Sequence, residues 1–258
     1  MSTTHPLGVQ LYSVRDDLGK GRREGAEYET LARTLERLAG FGFTHVEPYD
    51  ILGYTDALGR AMRSAGLQAT AAHARITDDT ADAVFAAADA LGISTLIVPW
   101  VEPTSITDLD GIERLADAVN RASARAASHG LRVGYHNHDF EFAQHIDGVS
   151  AYERLVTLLD PAVILEVDTY WAATGGADVF ELLPRLAERV RFLHVTNEPP
   201  GADDPPIQGV DITGRLAQIV QLSASFVEMP VVEVVVDDGD VFPLLKRNAR
   251  FFLEQVNA

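Results

Sequence analysis

The sequence predicts an α/β fold, a single (β/α)8 TIM barrel. Three observations carry that expectation. Eight apolar runs rich in Val, Ile and Leu recur along 258 residues, each followed by a segment whose apolar residues repeat at helical spacing. The runs are continuous rather than alternating, which marks strands buried on both faces, as in a parallel sheet. Eight such units in about 250 residues is the arithmetic of a barrel. A doubly wound open sheet is the alternative, disfavoured because no Gly-x-Gly-x-x-Gly and no phosphate loop follows the first strand. No composition break or long linker marks a second domain, so residues 1–258 are expected to form one.

The first strand is expected over residues 7–12, with Gly8, Gln10 and Tyr12 on one face, and residues 13–17 as a loop. Leu31, Leu35 and Leu38 give residues 28–39 a helical stripe that Gly40 and Gly42 stop. The second strand, 43–47, ends in Glu47, and Gly66 caps a helix over 55–65. The third strand, 67–73, ends in His73, before an Ala-rich helix over 80–91. The fourth strand, 94–100, ends in Trp100, before a long amphipathic helix over 108–128. The fifth strand follows Gly130. Strands six to eight are expected at 162–168, 190–196 and 229–236, with helices at 150–158, 179–188, 211–222 and 242–256. Residues 198–209, which hold four prolines, are expected to loop over the active face.

Composition narrows the function. A formal charge of -17 argues against nucleic acid, whose phosphates attract Lys and Arg, and suits a small-molecule or cation ligand. The absence of cysteine excludes disulfides, thiolate zinc sites and a cysteine nucleophile. No apolar run reaches about 18 residues, so no spanning helix is expected. Residues 1–5 do not read as a signal peptide, and a cytoplasmic protein is expected.

The chemistry concentrates in Tyr135-His136-Asn137-His138-Asp139-Phe140-Glu141-Phe142. Residues two apart on a strand share a face, so His136 and His138 project together, with Glu141 just beyond. Barrel strands deliver their last residues to one mouth. Here those ends supply Glu47, His73, Trp100, His136, His138, Asp168, His194 and Glu233. A barrel core needs none of these polar groups, and buried charges are costly unless paired or bound to metal. Glu166 shares a face with Asp168 one layer deeper, which suits a supporting role. Trp100 and Trp171 are aromatic candidates for stacking on a sugar ring.

These pieces resemble the xylose-isomerase-like TIM-barrel family of sugar phosphate isomerases and epimerases. The matching stretches are Gly8 to Asp16, Val46-Glu47, His73, Tyr135 to Phe142, Leu165 to Ala172, Leu193-His194-Val195, Gly209 to Asp211 and Val232-Glu233. They run along essentially the whole chain. The resemblance implies one divalent cation held by residues from strands five to eight, with Asp168, His194 and Glu233 matching the last three ligands. The first ligand, a glutamate in the family, is His136 here; Glu141, five residues on, is the other candidate. His136 is expected as the ligand and Glu141 as acid/base or substrate contact, beside His138. A second departure is Thr196-Asn197, where many relatives carry Lys-Asp. Relatives that repair DNA at abasic sites need a histidine three residues after the aspartate; Trp171 stands there instead, which speaks against a nuclease.

The implied reaction is enediolate chemistry on a sugar or keto-sugar, helped by one divalent ion, Mn, Mg, Co or Zn. Gln10, Glu47, His73, Trp100 and Trp171 are expected substrate contacts. Proton return to the next carbon isomerises, return to the other face epimerises, and loss of a β-leaving group makes a lyase acting on a keto-inositol or 3-keto-glycoside. The sequence leaves these three open, together with a sugar-binding barrel that has lost catalysis. Expected partners are a small sugar, with neither nucleic acid nor membrane; a homo-oligomer is left open.

Overall fold

The structure is a computed structural model that describes residues 6–76, 79–196, 215–236 and 239–256. Eight strands form one parallel sheet: β1 (Gly8–Gln10), β2 (His45–Glu47), β3 (Ala71–His73), β4 (Thr95–Val98), β5 (Arg132–His136), β6 (Ile164–Asp168), β7 (Val190–Val195) and β8 (Met229–Val232). The hydrogen-bonded order is β2-β1-β8-β7-β6-β5-β4-β3. Isolated bridges from His45 to Gln68 and from Tyr49 to His73 join the two end strands, so the sheet curls into a nearly closed barrel with helices around it. The expected (β/α)8 architecture is what the chain adopts. Among the described residues no helix is long and apolar enough to cross a membrane.

Strand parity explains where polar groups collect. Alternate residues point inward. Along β6 this gives Ile164, Glu166, Asp168; along β7, Phe192 then His194; along β8, Met229 and Val231, then Glu233 just past its end. The deepest members, with Ala71 and Ile97, form a small apolar cluster of their own, separate from the larger core between strands and helices. That cluster plugs the barrel. The next inward layer, one step toward the strand ends, is polar in every strand that supplies it except β4.

Most expected strands are trimmed to their paired residues, because residues at the run ends find no ladder partner. Tyr12 is not on β1: the chain turns into a 3-10 helix at Leu11–Val14, and Tyr12 is 42% exposed. Residues 13–17 are not a plain loop but lead into a helix, Arg15–Arg23, whose single aliphatic residue, Leu18, leaves no stripe to read. A helix at Thr169–Thr174, N-capped by Asp168, was also unexpected. The stretch 198–209, and the first residues of the helix expected from 211, lie outside the described residues; the described part of that helix is Leu216–Ser223.

Gly134 marks the tightest point of the plug. A Cβ there would stand 2.5 Å from Ile97 Cδ1 and 2.9 Å from Ile164 Cγ1. Gly134→Ala is expected to lower unfolding free energy by about 1–3 kcal/mol through overpacking. Gly40→Ala, in open space at a helix end, is expected to be neutral or stabilising by up to about 1 kcal/mol. Urea unfolding of the two variants checks the contrast; equal effects would contradict the packing assignment.

Candidate metal centre

The inward polar layer converges on His194. Its Nδ1 lies 2.9 Å from Glu233 Oε2, and its Nε2 lies 2.7 Å from Glu47 Oε2 and 3.2 Å from Glu166 Oε2. Glu166 Oε2 also lies 2.7 Å from His73 Nε2 and 3.3 Å from His136 Nδ1. Ligand atoms of His136, Asp168, His194 and Glu233 all fall within 4.8 Å of one another; so do those of His73, His136, Glu166 and His194. Two imidazoles with two carboxylates, or three with one, are donor sets that suit a divalent cation. His136 Nδ1 and Glu166 Oε1, from residues of these sets, and Oε1 of the adjoining Glu47 are buried without a hydrogen-bond partner.

Each ligand candidate is positioned by its own local structure. Asp168 ends β6 and caps the next helix, its Oδ1 accepting the Trp171 amide at 2.7 Å. Asn137, just past the end of β5, brackets it: its Nδ2 donates to the Asp168 carbonyl at 3.2 Å and its Oδ1 accepts the Asp168 amide at 3.0 Å. Sequence reasoning passed over Asn137, whose only signal was its place between two histidines. The Thr169 hydroxyl donates to the His194 carbonyl at 3.1 Å, tying the ends of β6 and β7.

Other expected site residues separate into two levels. Gln10 and Glu47 are fully buried and bonded to each other, Gln10 Nε2 donating at 2.8 Å, so they stand behind the histidines. His73 is buried beside them. His138 is only partly buried; its ring meets His136 edge-on at 5.0 Å between centroids, stacks on Phe140 at 5.6 Å and lies 6.2 Å from Trp171. Trp100 is 46% exposed, and Trp171 is half-buried. Glu141 is fully buried away from both sets. Its Oε1 accepts the Tyr135 hydroxyl at 2.9 Å and its Oε2 the His138 amide at 2.8 Å.

Electrostatics follow from burial and adjacency. Burial, then the imidazoles of His194, His73 and His138, holds His136 well below the usual histidine range. Burial alone would lower His194, but the charges of Glu166, Glu233 and Glu47 overcome it and raise the ring well above the usual histidine range. Burial pushes Asp168 up to about 7, with Glu233 adding to the rise against His194 and the helix amides. Burial would raise Glu233 as well, yet the charge and hydrogen bond of His194 bring it down to about 2. Burial lowers His138 to about 4, so its imidazole is neutral near pH 7.

Residues 35–221, more than half the chain, match the model of the xylose isomerase-like TIM barrel family. The chain belongs to that family. Among curated relatives, the inosose dehydratase of Geobacillus kaustophilus is 37% identical over 87 residues, covering 32% of this chain and 26% of the relative. The matched part is thus about a quarter of that relative's length. A sugar phosphate isomerase/epimerase from Parabacteroides distasonis is similar in fold, with TM-score 0.78 and 21% identity, covering 97% of this chain and 98% of the other. A xylose isomerase-like TIM barrel protein from Mycobacterium smegmatis, solved in complex with magnesium, gives TM-score 0.69 at 14% identity, covering 98% and 97%.

One pH effect isolates Glu141 from the cluster. Burial raises its carboxyl to about 7, against offsetting bonds from the His138 amide and Tyr135. The ordinary carboxyl value is 4.5. The folded state therefore holds this proton more tightly, and the stability it contributes is complete below pH 4.5 and lost as pH rises through 7. Glu141→Gln keeps an acceptor for the His138 amide. It is expected to remove on the order of 3 kcal/mol of that pH-dependent loss. Urea unfolding across that pH range, with chelator present, checks it; an unchanged slope would mean that Glu141 does not titrate there.

Proposed function

We propose that the protein is a divalent-metal-dependent isomerase or epimerase acting on a sugar or keto-sugar through an enediolate. One observation carries the reading. Four strand ends bring His136, Asp168, His194 and Glu233 within ligand distance of one another, beside a neutral His138 on the more open side. In this reading His136, Asp168, His194 and Glu233 hold the ion. When bound, the cation supplies Lewis-acid polarisation of a carbonyl and its neighbouring hydroxyl. Two imidazoles in the set favour Mn²⁺, Co²⁺ or Zn²⁺ over Mg²⁺, which prefers oxygen.

The chain's own residues do the proton work. His138, neutral near pH 7 and on the more open side of the site, takes the proton from the carbon beside the carbonyl. Phe140 and Trp171 hold its ring, and Glu141 fixes its backbone amide. Trp100 and Trp171 offer faces for a sugar ring, and they exclude water from one side of it. Return of the proton to the neighbouring carbon isomerises the substrate; return to the opposite face epimerises it.

A second reading is a lyase that expels a β-hydroxyl from the same enediolate, acting on a keto-inositol or 3-keto-glycoside. The likeness to inosose dehydratases favours it.

Solvent deuterium exchange tests the shared first step. Protein loaded with Mn²⁺ is expected to place deuterium on the carbon beside the carbonyl of a keto-sugar or keto-inositol, and Asp168→Asn to lose both the ion and the exchange. Retained substrate skeleton marks the isomerase or epimerase, and released water marks the lyase. Protein that binds no metal and exchanges nothing would overturn the reading in favour of a non-catalytic sugar-binding barrel.

His138→Asn is expected to cut the exchange rate by about 10²–10⁴ while metal content stays at the wild-type level. An undiminished rate, measured with metal analysis on the same sample, would remove His138 from the role of base.

A further inference from the structure

Beneath the proposed ion ligands, three imidazole nitrogens surround one carboxylate oxygen. Glu166 Oε2 lies 2.7 Å from His73 Nε2, 3.2 Å from His194 Nε2 and 3.3 Å from His136 Nδ1. His73 forms the in-line hydrogen bond. His194 Nε2 is directed to Glu47 at 2.7 Å. His136 Nδ1 has no hydrogen-bond partner, and Glu166 is its nearest carboxylate. Among the described residues, the ion-pair partners of Glu166 are imidazoles, with no Lys or Arg.

A neutral imidazole has one N–H and one lone pair, and a nitrogen that faces a carboxylate keeps the proton. His194 has a carboxylate of this kind beneath it, Glu47 at Nε2, while its Nδ1 faces Glu233 in the ligand set. His136 repeats it with Glu166 below. A small ring rotation turns the off-line 3.3 Å contact into a hydrogen bond.

We propose that Glu166 is a positioning residue for the ion: it keeps the proton on His136 Nδ1 and so leaves Nε2 as the donor to a cation. The reading rests on His136, Asp168, His194 and Glu233 as the ligand set. Glu166 does not touch the ion; it acts through His136, as carboxylates behind metal-bound histidines do.

Two measurements test this. The first is made on the wild type loaded with Zn²⁺, where long-range ¹⁵N–¹H correlation spectra report which ring nitrogen carries the proton. His136 is expected as the Nδ1–H form with Nε2 bound to zinc; Nδ1 bound to zinc would overturn the proposal. The second is calorimetric titration of metal-free protein with Mn²⁺, with ions per chain counted by elemental analysis. Glu166→Gln is expected to keep one ion per chain and to bind it about 10–100-fold more weakly, whereas Asp168→Asn holds none. Wild-type affinity in Glu166→Gln would overturn the positioning role. Loss of the ion in Glu166→Gln with retention in Asp168→Asn would overturn it in favour of Glu166 as a direct ligand. A wild type that binds neither metal contradicts the ligand set itself, and is thereby distinguished from failure of the Glu166 role.

Discussion

The structure depends on how seven buried or nearly buried ionisable groups tolerate one another at the barrel mouth. Glu47, His73, His136, Glu166, Asp168, His194 and Glu233 share a volume largely closed to water. An unpaired charge in such a place is expensive, and a pair that loses one member is more so. The chain meets this by interleaving imidazoles with carboxylates. Glu47, Glu166 and Glu233 each have an imidazole nitrogen within 3 Å, and His194 serves two of them at once. The dependence runs both ways: without His194, Glu47 and Glu233 would lose their closest partner. A dication would relieve the same strain, because it replaces protons that the imidazoles otherwise hold.

Layering follows from that constraint. The apolar plug of Ala71, Ile97, Ile164, Phe192, Met229 and Val231 lies one strand step deeper than the polar groups. The plug excludes water from beneath, so the charged layer has to satisfy itself internally. Its lower side, Gln10, Glu47, His73 and Glu166, is buried and hydrogen-bonded within itself. Its upper side, with His138, Glu233 and Trp171, is partly open. A fixed underside holding ring orientation, and an open side where a substrate can approach, are the two things a proton-transfer site needs.

The fold was legible because parallel strands buried on both faces leave continuous apolar runs, and the helices between them carry stripes. The chain kept eight strands in the expected places, shortened to their paired residues. Arg15–Arg23 escaped because its stripe is one leucine long, and Thr169–Thr174 because its cap, Asp168, already had a reading as a ligand. At the site, the convergence of strand ends was legible for Glu47, His73, Trp100, His136, His138, Asp168, His194 and Glu233, and the family resemblance marked His136, Asp168, His194 and Glu233 among them as ligands. Parity cannot say how far a long side chain reaches. Glu166, expected one layer down, extends its carboxylate among three rings, and Gln10 and Glu47 fold back onto each other. Glu141 shows the opposite case: an acid suggested by proximity in sequence sits in a short helix, Phe140–Ala143, and turns to Tyr135 and the His138 amide.

The central claim is that a cation belongs above Glu166, in the set shared by four strand ends. Crystals grown with Mn²⁺ and measured at the manganese absorption edge would test it most directly. The account predicts one anomalous peak bonded to His136, Asp168, His194 and Glu233, with Glu166 outside bonding distance. A peak bonded to His73 and Glu166, or no peak at the strand ends, would contradict it.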